Sequence, residues 1–213
     1  MDKITDVSFV PLTGSKYLIP LRMKYTQDGK EKLWDLMKTH SSVAIVIFNK
    51  TTQKFVFVKQ FRPAVFMNRA SVITGQTMNC GDKVDTAVVR GEEGVTMELC
   101  AGIIDKNISL EEIAREEVRE ECGYLVPVEK LKKIITFPSG VGASGGTQTL
   151  FYVEVTAEER VSEGGGVEEE GEMITVVEMS VEEVKNYLSQ ESVNSPIGLL
   201  YGVQWYINNR LKD

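Results

Sequence analysis

Residues 109 to 123 read Ser-Leu-Glu-Glu-Ile-Ala-Arg-Glu-Glu-Val-Arg-Glu-Glu-Cys-Gly, and the way this acidic stretch folds decides the rest. Ser109 opens it with a hydroxyl suited to cap free backbone N–H groups, and Glu112, three residues on, completes a capping box. Gly123 supplies the stop, because glycine readily takes the left-handed conformation that ends a helix. At about 100° per residue, with Leu110 at zero, Ile113 falls at about 300°, Ala114 at about 40° and Val118 at about 80°. These define an apolar face. On the same wheel Glu117 falls at about 340° and Glu121 at about 20°, in the middle of that face, with Glu120 at about 280°, on its edge. Glu112, Arg115, Glu116 and Arg119 lie on the far side as ordinary solvated charges.

Glu117 and Glu121 therefore point where leucines belong. A bare buried carboxylate is too costly, so each must be paired, protonated or bound to a metal ion. Neighbouring carboxylates about 5 Å apart repel by roughly 3 kcal/mol at an effective dielectric of about 20. A divalent cation converts that repulsion into binding, and oxygen-only donors favour magnesium or manganese over zinc.

Working outward, the first forty residues read as a small β unit. Tyr17 to Tyr25 alternates loosely, Asp28-Gly29 is a hairpin-turn pair, and Glu31 to Met37 returns. Ser41 to Phe48 and Lys54 to Arg62 are strands, the second stopped by Pro63. Asn68 to Gly94 lacks a sustained period and is punctuated by glycines, so it reads as a long loop or insertion with short strands. Val95 to Cys100 is a strand running into Ala101-Gly102. Strands at Leu131–Phe137 and Gln148–Val155 flank a glycine-rich loop, Ser139 to Gly146. An acidic loop, Thr156 to Glu172, precedes a strand at Met173–Met179, and helices at Val181–Leu188 and Ile197–Leu211 close the chain. Many strands with few helices imply an α+β or mixed-sheet α/β fold, not a doubly wound parallel sheet.

Composition narrows the function. The 213 residues suit one domain, or one domain with a small N-terminal attachment. Lys plus Arg number 24 against 31 acidic residues, a net charge of -7, which argues against a nucleic-acid partner. Phosphate-bearing ligands stay admissible, since a bound cation reverses the local sign. The three cysteines form no evident disulfide framework, which fits a reducing compartment such as the cytoplasm. Apolar runs fall far short of a bilayer span, so no membrane partner is expected. A single histidine, His40, leaves histidine zinc sites and Ser-His-Asp triads poorly supported.

The run from Gly102 to Tyr124 resembles the Nudix box, a loop–helix–loop that holds magnesium against a diphosphate. It matches at Gly102, Glu117, Val118, Glu120, Glu121, Gly123 and, loosely, Tyr124. It departs at Ile108, where the family has Glu, and at Glu116, where it has Arg. The missing pair weakens the tie of loop to helix more than the chemistry. Phe57 to Ala64, Glu98 to Gly102 and Glu170 to Ile174 are similar to segments of the ADP-ribose and nucleoside-diphosphate-sugar pyrophosphatases of that family. Trp34 to His40, Ser139 to Gly142 and Gly164 to Glu172 resemble its UDP-glucose (UDP-sugar) pyrophosphatase branch, and the likeness runs from about Tyr17 to Trp205.

The resemblance implies an α/β/α sandwich with a mixed sheet, carrying a small N-terminal antiparallel β extension. It places the extension at residues 1–40 and the hydrolase domain at 41–213, with an insertion at about 66–94. It implies Mg2+-dependent hydrolysis of UDP-glucose to UMP and glucose 1-phosphate, with ADP-ribose as a further substrate, and Mn2+ as a possible substitute. Glu117, Glu120 and Glu121 would be metal ligands with the backbone carbonyl of Ala101. Glu120 and Glu121 would act in catalysis with Glu172 or Glu170 as base. Arg62 would bind phosphate, Glu98 would orient a ligand or the metal waters, and Gly140 and Gly142 would lie near sugar or phosphate. A homodimer joined through Tyr17 to Met37 is implied as well. Two other readings stay open: an ADP-ribose-preferring enzyme, and a catalytically silent nucleotide-sugar binder, which would be expected to have lost one of the three glutamates.

Overall fold

The computed structural model describes residues 2–211, the side chain of Glu170 excepted. Its first element is a hairpin of β1 (Ile19–Gln27) and β2 (Lys30–Lys38), paired from Ile19 with Lys38 to Gln27 with Lys30. Asp28 and Gly29, at φ +52° and +75°, make the tight turn the sequence predicts, in which both central residues need positive φ. The hairpin is a sheet of its own, and Leu21, Met23, Leu33 and Trp34 stay exposed on it.

Seven further strands form one mixed sheet. β3 (Ser42–Asn49) runs through its middle, antiparallel to β4 (Lys54–Phe61) and parallel to β8 (Thr147–Val155). β7 (Lys132–Pro138) lies beyond β8, and β5 (Val95–Glu98) and β9 (Ile174–Ser180) flank β4. β6 (Cys100–Ile103) pairs with β3 rather than with the neighbour of β5. The stretch read from sequence as one strand is therefore two, stepping from β4 to β3 at Leu99.

Strand alternation builds the layers. Val43, Ile45 and Ile47 of β3 pack with Ile113, Ala114, Val118 and Cys122 of α2 (Leu110–Cys122) on one face. Ala44, Val46 and Phe48 pack on the other with Val184 of α3 (Val181–Leu188) and with Leu199, Val203 and Tyr206 of α4 (Ile197–Asn209). Buried on both faces, β3 is almost wholly apolar, each such side chain contributing about 1.5–3 kcal/mol. The result is the expected α/β/α sandwich.

One reading needs correction. Pro63–Thr74 is a helix, α1, so the stretch from Asn68 onward is not loop until Gly75, whose φ of +68° ends the helix. Pro63 stops β4 and also occupies the first helical position, where its missing N–H costs nothing. Only Phe66 and Ala70 are buried on α1, while Val72 and Ile73 remain exposed, so the sequence shows no amphipathic period. A small separate core gathers Phe66, Ala70, Val84 and Val89, joined by Val7 and Phe9 from the N-terminal segment.

Candidate active site

The local signals of residues 109 to 123 are realised in α2. The Ser109 hydroxyl accepts from the Glu112 N–H at 3.2 Å, and the Glu112 carboxylate accepts from the Ser109 N–H at 2.9 Å. Gly123, at φ +77°, donates its N–H to the Arg119 carbonyl at 3.1 Å. The helix starts after the short loop that leaves β6, and Glu117 and Glu121 lie against that strand.

Glu121 is only 3% exposed, and its carboxylate accepts the backbone N–H of Ala101 at 2.9 Å. Glu117, half-buried, lies directly against Gly102, so closely that a side chain at position 102 would collide with its carboxyl group. This gives the glycine a physical reason: it makes room for a carboxylate on the inner face. Glu120 is exposed and lines an open groove of about 760 Å3 with Lys106, Arg115, Glu116 and Arg119.

Burial pushes the Glu121 carboxyl up to about 8, against the Ala101 hydrogen bond, which pulls it down; the charge of Glu117 raises it further. Burial also raises Glu117, to about 7, helped by the charges of Glu120 and Glu172. Burial thus disfavours the charged form of both inward carboxyls. Oxygen donors under mutual repulsion, at the edge of the core, fit a hard divalent cation. Among the described residues, no three His, Cys, Asp or Glu side chains are already gathered into a metal cage.

Arg62, at the end of β4, does not stand free. Its Nε and Nη2 both donate to the Glu98 carboxylate at 2.7 Å, a two-pronged pairing across to β5. Glu98 is 7% exposed, and its carboxylate orients Arg62. Glu98 first, and then Glu121 and Glu172, raise the pKa of Arg62, which puts this guanidinium on the border of the glutamate cluster. Glu172, exposed, accepts the Val167 N–H at 2.9 Å, and its charge reaches Glu117, Glu121 and Arg62. The Glu170 side chain lies outside the described residues.

The acidic loop is anchored to the end of α2: Gly165 and Gly166 donate to the carbonyls of Glu121 and Glu120 at 2.9 and 3.1 Å. The glycine-rich loop stands at the site's end of the sheet, since Ser42 of β3 pairs with both Ile103 and Gln148. Gly140, at φ +59°, lets three following N–H groups converge on its carbonyl, and the Gly142 carbonyl accepts the Trp34 indole N–H at 3.1 Å. The loop meets the N-terminal hairpin through Gly142 and through the Ala143 carbonyl, which accepts the Met37 N–H at 2.8 Å.

Two partners escaped the sequence reading. Lys106 donates to Glu116 at 2.6 Å, tying the β6–α2 loop to the helix at the position where the family pattern has Arg. The expected weakening of that tie is met by an ion pair of opposite polarity. Thr96 donates to Glu98 at 2.6 Å. Alternation along β5 places Thr96 and Glu98 on one face, and that polar pair facing inward was the available signal.

No protein-family model matches the chain. Over 213 residues it is 39% identical to uridine diphosphate glucose pyrophosphatase NUDT14 of Bos taurus, covering 98% of this chain and 96% of that protein. The protein of the same name from Mus musculus is also 39% identical, over 215 residues and the same shares of both chains. A GDP-mannose pyrophosphatase of Salmonella arizonae is 30% identical over 172 residues, 79% of this chain and 74% of that one.

Proposed function

The chain belongs to the Nudix hydrolase family, and on that premise we propose that it is a nucleoside-diphosphate-sugar pyrophosphatase that cleaves UDP-glucose to UMP and glucose 1-phosphate. ADP-ribose, giving AMP and ribose 5-phosphate, is a second substrate. The observation that carries the reading is the pair Glu117 and Glu121, turned inward against Gly102 and Ala101 beside a fixed Arg62. Full-length similarity to UDP-glucose pyrophosphatases supports it.

Family members work with a divalent cation, here Mg2+ with Mn2+ as substitute. Glu117, Glu120 and Glu121 would hold it with the Ala101 carbonyl, Glu120 turning in from the groove edge. Once bound, it supplies charge neutralisation on the phosphoryl oxygens and an acidified water. Arg62 contacts the diphosphate with the N–H groups that Glu98 leaves free. Glu172, with Glu170 as the other candidate, takes the proton of the attacking water as one P–O bond forms and the bridging P–O bond breaks. Gly140 and Gly142 shape the sugar side of the cleft through the loop they hold against Trp34.

Residues 1–40 form the dimerisation extension and 41–213 the hydrolase domain, with an insertion at about 66–94. The exposed Leu21, Met23 and Trp34, which share one face of the hairpin, support a homodimer through it. Leu21→Glu with Met23→Glu is expected to give a monomer by sedimentation; an unchanged mass would count against this contact. Among the described residues no helix is long and apolar enough to cross a membrane, and three free cysteines favour the cytoplasm. The test of function is a panel of UDP-glucose, ADP-ribose and a dinucleoside polyphosphate with Mg2+, read by chromatography. UMP with glucose 1-phosphate is the expected product pair. Turnover of the polyphosphate alone, or of nothing, refutes the reading.

A further inference from the structure

Arg62 is aimed by a relay that starts one strand away. Glu98 is 7% exposed and Thr96 4% exposed, and both sit on β5 opposite the end of β4. Thr96 Oγ1 donates to Glu98 Oε1 at 2.6 Å, and the same Oε1 accepts Arg62 Nε at 2.7 Å. Glu98 Oε2 takes Arg62 Nη2 at 2.7 Å. The main chain adds a constraint, since the Arg62 N–H donates to the Gly94 carbonyl at 2.8 Å. A planar guanidinium fixed on two of its nitrogens by a buried carboxylate has one orientation left, and among the described residues Nη1 makes no hydrogen bond. The Arg62 side chain remains 44% exposed.

A carboxylate in this position needs holding. Glu98 could rotate about its last torsion and present a single oxygen to Arg62, and that torsion is soft. The Thr96 hydroxyl occupies Oε1 from the side and selects the rotamer that engages both guanidinium nitrogens. Valine has nearly the same shape but no hydroxyl, and serine has the hydroxyl without the methyl group.

We propose that Thr96 is a positioning residue: through Glu98 it fixes the Arg62 guanidinium so that its free N–H groups meet the substrate diphosphate. This rests on the pyrophosphatase reading for its substrate, yet it predicts a binding phenotype that is measurable without turnover. The probe is methylenediphosphonate, a non-hydrolysable diphosphate, titrated into the full-length protein with Mg2+ present. Loss of a hydrogen bond to a charged group corresponds to about tenfold in affinity. Thr96→Val is expected to weaken the probe about tenfold, Thr96→Ser to stay within about twofold, and Thr96→Val to add nothing when Arg62 is already Met. With UDP-glucose the loss should appear mainly in KM, because orientation of Arg62 affects bound substrate and transition state alike.

Equal affinity of Thr96→Val and wild type overturns the proposal, as does a loss that adds in full to that of Arg62→Met. A wild type that does not bind the probe overturns it too. Should Thr96→Val fail to fold, the isosteric Glu98→Gln, which keeps one acceptor oxygen, must show the same non-additivity with Arg62→Met. If the wild type binds the probe with this pattern but hydrolyses no nucleotide sugar, the functional reading falls and the relay stands. If it hydrolyses UDP-glucose and the pattern is missing, the relay falls alone.

Discussion

Replacing Glu121 with Gln should stabilise the metal-free protein at alkaline pH while removing its activity. Glutamine keeps the shape of the side chain and an oxygen to accept the Ala101 N–H, and only the ionisable proton is lost. In the unfolded chain a glutamate titrates at about 4.5, whereas burial raises Glu121 to about 8 in the fold. Between those values the folded state holds a proton that the unfolded state has released, so stability falls as pH rises. The contribution of this group is fully present below about 4.5 and is lost as pH climbs through about 8. At about 1.4 kcal/mol per pH unit the ceiling is roughly 5 kcal/mol, and water entry and relaxation bring the expected difference to about 1–3 kcal/mol. Thermal melts in a chelating buffer at pH 5 and pH 8 measure it. The variant should melt about 2–10 °C above wild type at pH 8 and close to it at pH 5. A variant less stable than wild type at pH 8, or one offset equally at both pH values, would refute the claim that the Glu121 charge opposes folding. Added Mg2+ should then raise the melting temperature of the wild type and not of the variant.

Gly102→Ala forces a methyl group into the Glu117 carboxyl, so turnover should drop at least tenfold and stability by about 1–3 kcal/mol, read by kinetics and denaturant melts. For the loop tie, Lys106→Glu alone sets two like charges together and should cost up to about 1 kcal/mol. The exchange Lys106→Glu with Glu116→Lys should recover most of it; additive losses would show that the pair does not couple. Ser109→Ala removes the cap of α2 and should cost about 1 kcal/mol in urea unfolding.

What the sequence made legible was what is local and periodic. The cap at Ser109, the stop at Gly123 and the inward angle of Glu117 and Glu121 follow from helical geometry, and the hairpin follows from Asp28-Gly29. The site's long-range pairs were not legible, because nothing near Arg62 announces Glu98 and nothing near Trp34 announces Gly142. The helix α1 was missed for another reason: with Phe66 and Ala70 inside and Val72 and Ile73 outside, apolar residues surround it and erase the period. Glu120 sits where the wheel put it, on the edge, lining an open groove that it shares with Lys106, Arg115, Glu116 and Arg119.

The central claim is that the inner carboxylates of α2 gather a divalent cation, and calorimetric titration of Mg2+ at pH 7 tests it most directly. A methylene analogue of UDP-glucose is held in the cell, and the titration is repeated in two buffers of different ionisation heat. Uptake at millimolar concentration or tighter is predicted, with protons released to the buffer because Glu117 and Glu121, held at about 7 and about 8, must give theirs up. Glu121→Gln should lose most of that affinity and part of the proton release. No uptake by the wild type, or equal uptake by the variant, contradicts the account.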